Sequence, residues 1–467
     1  MSYQVPQSIS KDKIFIVNRS EIEGRLDPNP YHNERKDAII RIKKTGNYLP
    51  LSSIVSFKKS ITTDIKSGDI YVGLENIISD IGEYVETTEK QSISSAVTFE
   101  KGDILFPKLR PYLNKVFYAT FDGLCSTEFH VLKSNGVNNQ YLSIYLRSSL
   151  VVNQTKHLMT GNTLPRLQTE DVRSLLIPIP STDIQKKIVD CYIYANNCRL
   201  QKKDEAKVLL RSIDTYLLDE LGVSLPEYNT NLKDRVFTIN RKSLDNRWDP
   251  YYSQIYFRDA FAVLESCKYP IVKLKTIAKL ITSGITPKSG GDAYTEDKEA
   301  GVPFVRSGNI SIEGELDFDD LLYLKPEIHE TLMQSSQLQK NDILIAIVGA
   351  TIGQVGIYPY DGEANINQAI ALVRLKDGYN VQFIKELIKS SIGQLSLNRL
   401  KRPVARANIN LEEISTIKIV LPPKEKQQEI VDHITSIRLQ AKSLQEEGCK
   451  ILEQAKKEVE EMILTSK

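Results

Sequence analysis

The chain has 467 residues, of which 41% are hydrophobic and 26% are charged, and its formal net charge is +2. This composition predicts a folded protein with hydrophobic cores and more than one domain. It excludes a uniformly basic chain, so a surface for an acidic partner such as DNA must be local and balanced by acidic residues elsewhere.

Membrane and metal sites are not indicated by the sequence. The longest apolar stretch, residues 343–350, is far shorter than the ~18 residues of a membrane span, and the first residues lack the apolar core of a signal peptide. The five cysteines are scattered without a CxxC pair, which argues against a disulfide framework and against a zinc site. A cytoplasmic location is the resulting expectation.

The first half of the chain predicts a β-rich body followed by a long helix. Short β-branched and aromatic runs bounded by Gly, Asn and Asp predict strands at residues 69–74, 104–106, 116–119 and 129–132. A helix is predicted near residues 140–149, and a much longer one from Asp183 to Leu221. Apolar residues on or near one face of the long helix are Ile184, Ile188, Tyr192, Ala195, Leu209, Ile213, Tyr216 and Leu217.

The second half of the chain predicts the same order of elements. Strands are expected at residues 304–305, 343–348, 355–358 and 369–375, followed by a helix at 381–390. A second long helix follows Pro422, with apolar residues spaced alternately by four and three, a spacing that is broken only at Gly448. These apolar residues are Ile430, Ile434, Ile437, Ala441, Leu444, Ile451 and Ala455.

The two halves are copies of one domain. FIVNRSEIEGRLDPNPY near the start returns as FTINRKSLDNRWDPYYS, with Phe15 over Phe237, and LLIPIPSTDIQKKIVD returns as IKIVLPPKEKQQEIVD. Between these anchors KGDIL at 101–105 matches KNDIL at 340–344. A period this long is incompatible with a solenoid. The predicted fold is therefore α+β, with two β-rich domains in tandem and two long helices that pair as an antiparallel coiled coil.

These repeated segments resemble the specificity subunit of type I restriction-modification systems. The resemblance is carried by the two helix entries (Pro180, Gln185 and Ile188; Pro422, Gln427 and Ile430), the two DIL segments and RPYL at 110–113. It implies target-recognition domains at residues 1–180 and 223–422, and spacer and docking helices at 181–222 and 423–467. Each target-recognition domain would read half of a bipartite sequence in double-stranded DNA. The helices would dock methyltransferase subunits, two in number, and through them the restriction subunits.

Candidate DNA-binding residues are basic, aromatic, hydroxyl and amide side chains that follow predicted strands or cluster near helix ends. Lys and Arg suit phosphates, and Arg and Asn also suit base edges. In the first body they are Lys108, Arg110, Tyr112 and Lys115, and in the second Arg306, Ser307, Asn309, Arg399, Lys401, Arg402 and Arg406. A solvated surface, or cations at a helix C-terminus, would give the same pattern.

No catalytic role is predicted for the chain itself. The glycines form no nucleotide-binding pattern, and the histidines do not have the spacing of metal ligands. S-adenosylmethionine, ATP and Mg²⁺ are therefore expected on partner subunits. Gln185 and Gln427 could cap the helix starts instead of meeting a partner. Two alternatives stay open: the specificity subunit of a related system with a fused methyltransferase-nuclease partner, and a duplicated protein scaffold without a DNA role.

Overall fold

The structure is a computed structural model that describes residues 14–22, 26–66, 68–87, 93–161, 163–228, 236–240, 247–288, 291–401 and 407–466. The chain divides into two compact units. Unit 1 comprises Met1–Asp204 and Leu444–Lys467, and unit 2 comprises Glu205–Ser443. Among the described residues, no helix combines the length and the apolar character needed to cross a bilayer.

The described residues of unit 1 form three small sheets and their covering helices. Its strands are β1 (Tyr48–Pro50), β2 (Val55–Lys58), β3 (Ile61–Thr62), β4 (Tyr71–Val72), β5 (Ala96–Phe99), β6 (Ile104–Pro107), β7 (Phe117–Tyr118), β8 (Gly123–Cys125), β9 (Phe129–Ser134) and β10 (Leu176–Pro178). Its helices are α1 (Asn33–Lys43), α2 (Leu51–Ile54), α3 (Asn139–Leu146), α4 (Ser149–Thr155), α5 (Thr169–Arg173) and the part of α6 (Thr182–Leu221) that ends at Asp204.

Unit 2 repeats this organisation. Its strands are β11 (Ile271–Lys273), β12 (Ala278–Ser283), β13 (Tyr294–Thr295), β14 (Val302–Val305), β15 (Leu322–Leu324), β16 (Ile343–Ala346), β17 (Val355–Ile357), β18 (Asn365–Ile366), β19 (Ile370–Leu375) and β20 (Lys418–Val420). Its helices are α7 (Ile255–Glu265), α8 (Leu274–Ile277), α9 (Pro326–Glu330), α10 (Val381–Lys389), α11 (Ser391–Leu400), α12 (Leu411–Ser415) and the part of α13 (Lys424–Thr465) that ends at Ser443.

The central sheets of the two units have the same topology. The strand order is β2-β9-β6-β7 in unit 1 and β12-β19-β16-β17 in unit 2, with all neighbours antiparallel. The register is also equivalent, because Ile104 pairs with Leu132 and Ile343 pairs with Val373. The tandem repeat of a mixed helix and sheet domain, predicted from the duplicated motifs, is confirmed.

The second four-stranded sheets, β3-β5-β8-β4 in unit 1 and β13-β15-β14-β18 in unit 2, extend from opposite strands of their parallel pairs. Each contains one parallel pair, β4 with β8 in unit 1 and β14 with β18 in unit 2. The remaining strands of unit 1 attach to β8, whereas those of unit 2 attach to β14, the counterpart of β4. Two copies of one scaffold therefore present different edges.

The aspartate of each DIL segment fixes the turn that precedes the central strand. Asp103 and Asp342 are 2% and 0% exposed, and each accepts a hydrogen bond from the backbone N–H three residues earlier. Lys58 Nζ lies 2.7 Å from the Asp103 carboxylate, and Arg374 binds the Asp342 carboxylate with two nitrogens. The shared motif is thus explained by a buried, paired carboxylate.

The long helices pack against each other within each unit. In unit 1, the Lys202 ammonium lies 2.8 Å from the Glu447 carboxylate, and Cys191 Sγ lies 4.0 Å from that of Glu458. In unit 2, the Tyr216 and His433 rings are 4.1 Å apart, and Lys426 pairs with Glu220 at 2.5 Å. Within each unit, rising residue numbers on α6 meet falling numbers on α13.

The break in the apolar spacing at Gly448 does not interrupt the predicted long helix. Gly448 lies inside the continuous helix α13, and its position is buried. A Cβ placed there would lie 3.3 Å from both Cα and the carbonyl oxygen of Arg199 on α6. The glycine permits close approach of the two helices, and the next buried residue is Leu452 instead of the predicted Ile451.

Candidate nucleic-acid interface

Two of the basic candidates in the first body bind backbone carbonyls of their own unit. Lys108 Nζ donates to the carbonyl of Thr127 at 2.7 Å, and burial lowers the pKa of its ammonium. Lys115 Nζ donates to the carbonyl of Leu74 at 2.8 Å, at the start of the 3-10 helix Leu74–Asn76. Both ammonium groups therefore have structural partners, and their DNA contacts stay a prediction.

Arg110 and Tyr112 are displayed on the turn that follows β6. Arg110 is exposed and precedes the 3-10 helix Pro111–Leu113, and Tyr112 is 44% exposed. Arg110 has a left-handed backbone, with φ 46° and ψ 54°, and its N–H donates to the carbonyl of Pro165 at 2.9 Å. Its guanidinium makes no hydrogen bond or ion pair with any residue that the structure describes. This turn is the most accessible of the candidate positions in the first body.

A 3-10 helix after β14 begins at Ser307 and ends at Asn309, and Arg306 is the residue that precedes it. Asn309 is 4% exposed, accepts from the N–H of Arg306 at 2.9 Å and donates to the carbonyl of Asp320 at 3.1 Å. Arg306 also donates to that carbonyl, at 3.0 Å. The counterpart Asn76 makes the same turn bond, to the N–H of Gly73 at 2.8 Å, so the shared asparagine sets the turn in both copies.

The basic cluster at the end of α11 is only partly accessible. Arg399 donates to the carbonyl of Tyr252 at 3.0 Å, and its guanidinium carbon lies 3.9 Å from the centroid of the Tyr252 ring and 4.9 Å from that of Phe261. This stacking on two aromatic rings is a packing contact. Lys401 is half-buried at the C-terminus of α11. Arg402 and Arg406 lie outside the described residues.

The helix-entry residues are buried and bind their own entry turns. The side-chain NH₂ groups of Gln185 and Gln427 donate to the carbonyls of Pro180 and Pro422, at 2.9 and 2.8 Å. Gln185 also accepts from the N–H of Asn138 at 3.1 Å. Ile188 and Ile430 are both 0% exposed. This geometry favours fixing the helix start over direct contact with a partner, and docking by these residues stays a prediction.

Comparison with known proteins decides the family. A sequence model described as the type I restriction modification DNA specificity domain matches residues 35–205 and again residues 268–448. The chain belongs to this family. The resemblance predicted from the repeated motifs is thereby confirmed, and the two matches coincide with the two copies.

Individual specificity subunits match over shorter stretches. The EcoBI specificity subunit of Escherichia coli is 32% identical over 155 residues, which is 32% of this chain and 32% of that subunit. The EcoDI specificity subunit of Escherichia coli is 29% identical over 105 residues, or 22% of this chain and 23% of that subunit. The aligned segment thus spans about a third or less of these relatives' length.

Solved structures align over most of the chain at low identity. The HsdS subunit of Thermoanaerobacter tengcongensis is 18% identical, with 90% of this chain and 97% of that chain covered and a TM-score of 0.36. The S subunit from M. genitalium is 14% identical, with 89% and 95% covered and a TM-score of 0.38. A chain of a type I R-M system, studied for its assembly, is 18% identical, with 89% and 96% covered and a TM-score of 0.48.

One cluster of this specificity-domain protein is not evident from the sequence. The ring nitrogens of His32 and His157 and the carboxylate of Glu34 lie within 4.8 Å of one another, and the two rings stack at 3.8 Å. Lys156 Nζ lies 2.6 Å from the Glu34 carboxylate. The hydrogen bonds that this carboxylate accepts from Lys156 and His157 lower the pKa of Glu34 to about 2. The residues are too far apart in the chain for spacing to reveal them. Lys156 already neutralises the carboxylate, which disfavours a metal ion there.

Proposed function

We propose that this type I specificity subunit reads a bipartite DNA target, with one half recognised by each β-rich body. The duplication carries the proposal, because the central sheets share strand order and register while the second sheets add strands to opposite members of their parallel pairs. A repeated scaffold with different edges suits two readers of different half-sites. Positioning on the phosphates and reading of bases would both come from these bodies.

The two long helices are proposed to pair along their length as an antiparallel coiled coil. The contacts of Lys202 with Glu447 in unit 1 and of Glu220 with Lys426 in unit 2 support opposite directions within each unit. In this proposal residues 181–222 and 423–467 space the two target-recognition domains, 1–180 and 223–422. They would also dock two methyltransferase subunits and, through these, the restriction subunits.

The chain is proposed to have no catalytic activity of its own. S-adenosylmethionine, ATP and Mg²⁺ would be held by the partner subunits, and this chain would supply the sequence specificity. We expect the purified chain to neither methylate nor cleave DNA until a methyltransferase subunit is added. Transfer of a labelled methyl group from S-adenosylmethionine to DNA by the partner-free chain would contradict this proposal.

Exchange of one body tests independent reading. Residues 250–408 are replaced by the corresponding body of a relative, and the methylated motif is read by long-read sequencing in cells that also make the methyltransferase subunit. One half of the motif should change while the other half and the gap are retained. Loss of both halves would show that the bodies are not independent readers, and absence of any motif with the unaltered chain would remove the DNA-reading function.

Matched insertions in both helices test the spacer. Seven residues inserted near Lys202 and seven near Glu447 preserve a seam of period 3.5 and lengthen both helices by about 10 Å. At ~3.4 Å per base pair, the gap of the motif should grow by about three base pairs while both half-sites keep their bases. The control is the insertion in one helix alone, which breaks the pairing and should abolish methylation. Altered bases within a half-site would contradict the spacer role.

A further inference from the structure

The turn after β6 in the first body begins and ends with side-chain-bearing residues in left-handed backbone. Arg110 has φ 46° and ψ 54°, and Asn114 has φ 51° and ψ 47°. In this region the Cβ atom crowds the backbone, so glycine is the residue that adopts it without cost. The presence of an arginine at the first position therefore needs an explanation.

The equivalent turn in the second body uses glycine at both positions. Gly349 has φ 74° and Gly353 has φ 95°. The turns are structurally matched, since the N–H of Arg110 donates to the carbonyl of Pro165 at 2.9 Å and that of Gly349 donates to Ala407 at 3.0 Å. Bridges pair Leu109 with Arg166 and Val348 with Asn408 in the same way. The backbone of this turn thus favours glycine at position 110.

Internal contacts account for Asn114 but not for Arg110. The Asn114 side chain is 5% exposed and donates to the carboxylate of Asp80 at 3.0 Å and to the carbonyl of Arg147 at 2.8 Å. The exposed Arg110 guanidinium has no such partner among the described residues. Tyr112, 44% exposed, is displayed on the same turn. An arginine in left-handed backbone whose guanidinium contacts no described residue points to an external ligand.

We propose that Arg110 reads a guanine in the half-site bound by the first body, with Tyr112 contacting the adjacent base or backbone. The inference rests on the proposed DNA-reading function and names the side chain that carries it. A guanidinium donates two parallel hydrogen bonds to O6 and N7 of guanine in the major groove, a pattern that no other base pair offers at that position. The second body, with Gly349 at the matching position, would lack this contact and read its half-site with other groups.

Replacement of Arg110 by glycine tests the proposal without a folding penalty, because Arg110→Gly introduces the residue that the second body has at the same point of the turn. The methylated motif is read in cells that make the variant and the methyltransferase subunit. We expect one guanine of one half-site to become unspecified, with the other half-site and the gap unchanged. In the purified complex, affinity for the original duplex should fall by about 5- to 150-fold, and the preference for guanine at that position should be lost.

Asn341→Gly is the matched control. Asn341 also has left-handed backbone, with φ 72°, and its counterpart in the first body is Gly102, with φ 92°. This variant should keep the whole motif. Arg110→Lys should keep the positive charge but lose the bidentate hydrogen bond to guanine. The preference for guanine at that position should therefore be weaker than in the unaltered chain. Thermal melting of Arg110→Gly should occur at or above the temperature of the unaltered chain.

Three results would overturn the assignment of Arg110. A lower melting temperature for Arg110→Gly, or failure to fold, would show that the arginine stabilises the turn. Weaker binding with an unchanged motif, accompanied by a smaller salt dependence, would show a phosphate contact instead of base reading. An unchanged motif and affinity would remove the residue from the interface. Failure of the unaltered complex to give any bipartite motif would instead refute the proposed function itself.

Discussion

Replacing Glu386 with isoleucine should strongly destabilise unit 2, because it would remove the carboxylate that pairs with a buried lysine. Glu386 on α10 is 5% exposed and accepts from Lys385 Nζ at 2.8 Å and from two nitrogens of Arg438 on α13, at 2.5 and 2.6 Å. Burial alone would raise the pKa of Glu386, but the charges of Lys385 and Arg438 hold it below its ordinary value. Burial lowers the pKa of Lys385.

The size of the effect follows from which charges remain. Without Glu386, the Lys385 ammonium, whose side chain is 7% exposed, must either stay charged away from water or lose its proton, and both cost free energy. Breaking a buried ion pair in this way costs about 3–5 kcal/mol. Arg438 is 31% exposed and can regain water. The double variant Lys385→Met with Glu386→Ile removes both deeply buried charges, and it should recover most of the loss.

Hydrogen exchange of the α10 amides measures this loss within unit 2. A destabilisation of about 3–5 kcal/mol corresponds to roughly 150- to 5,000-fold faster exchange through opening of this segment. The amides of α3 in unit 1 are the internal control, since Ser143 and Ile144 occupy the positions that match Lys385 and Glu386. Equal losses in the single and double variants would refute the argument, because the unpaired lysine would then not be the cause.

Three further predictions concern buried groups. Burial lowers the pKa of His130 to about 4, so between pH 6.5 and pH 4 the unfolded state binds a proton that the folded state does not. From pH 7 to pH 5, the unfolding free energy of the unaltered chain should therefore fall by about 2 kcal/mol more than that of His130→Leu. Urea midpoints of both proteins at both pH values measure this difference. Gly448→Leu should cost about 1–3 kcal/mol in thermal or urea unfolding, because its side chain would overlap the backbone of Arg199, whereas Gly448→Ala should cost much less. Gln185→Ala should lower the unfolding free energy by more than Gln427→Ala. Gln185 Oε1 accepts a hydrogen bond from Asn138, whereas Gln427 Oε1 is buried without a hydrogen-bond partner among the described residues. Equal losses would contradict this ranking.

The sequence predicts the regular elements well because the duplication identifies them twice. The helix expected at residues 381–390 is found as Val381–Lys389, and the one expected from Asp183 to Leu221 as Thr182–Leu221. The Asn380 side chain accepts from the N–H of Phe383 and caps the start of α10. Local signals of this kind, apolar periodicity and a capping residue, depend only on residues that are close together in the sequence.

The roles of the basic residues could not be predicted in the same way. Lys108, Lys115 and Arg399 have the residue types of a DNA contact, yet each donates to a carbonyl of its own unit. The accepting carbonyls belong to Thr127, Leu74 and Tyr252, which are far away in sequence and contribute only backbone atoms. Since every residue carries a carbonyl, no sequence pattern identifies such a partner.

Gly448 shows how the same limit applies to helix pairing. A glycine within a helix costs about 1 kcal/mol relative to alanine, and from the sequence Gly448 only interrupts the apolar spacing of the second long helix. Its position is instead buried where α13 meets Arg199 of α6, a residue that is itself 6% exposed and whose guanidinium lies 2.7 Å from the Glu83 carboxylate in the first body. The absent side chain makes room for the backbone that carries this arginine. Within unit 1, this ion pair ties α6 to the β-rich body.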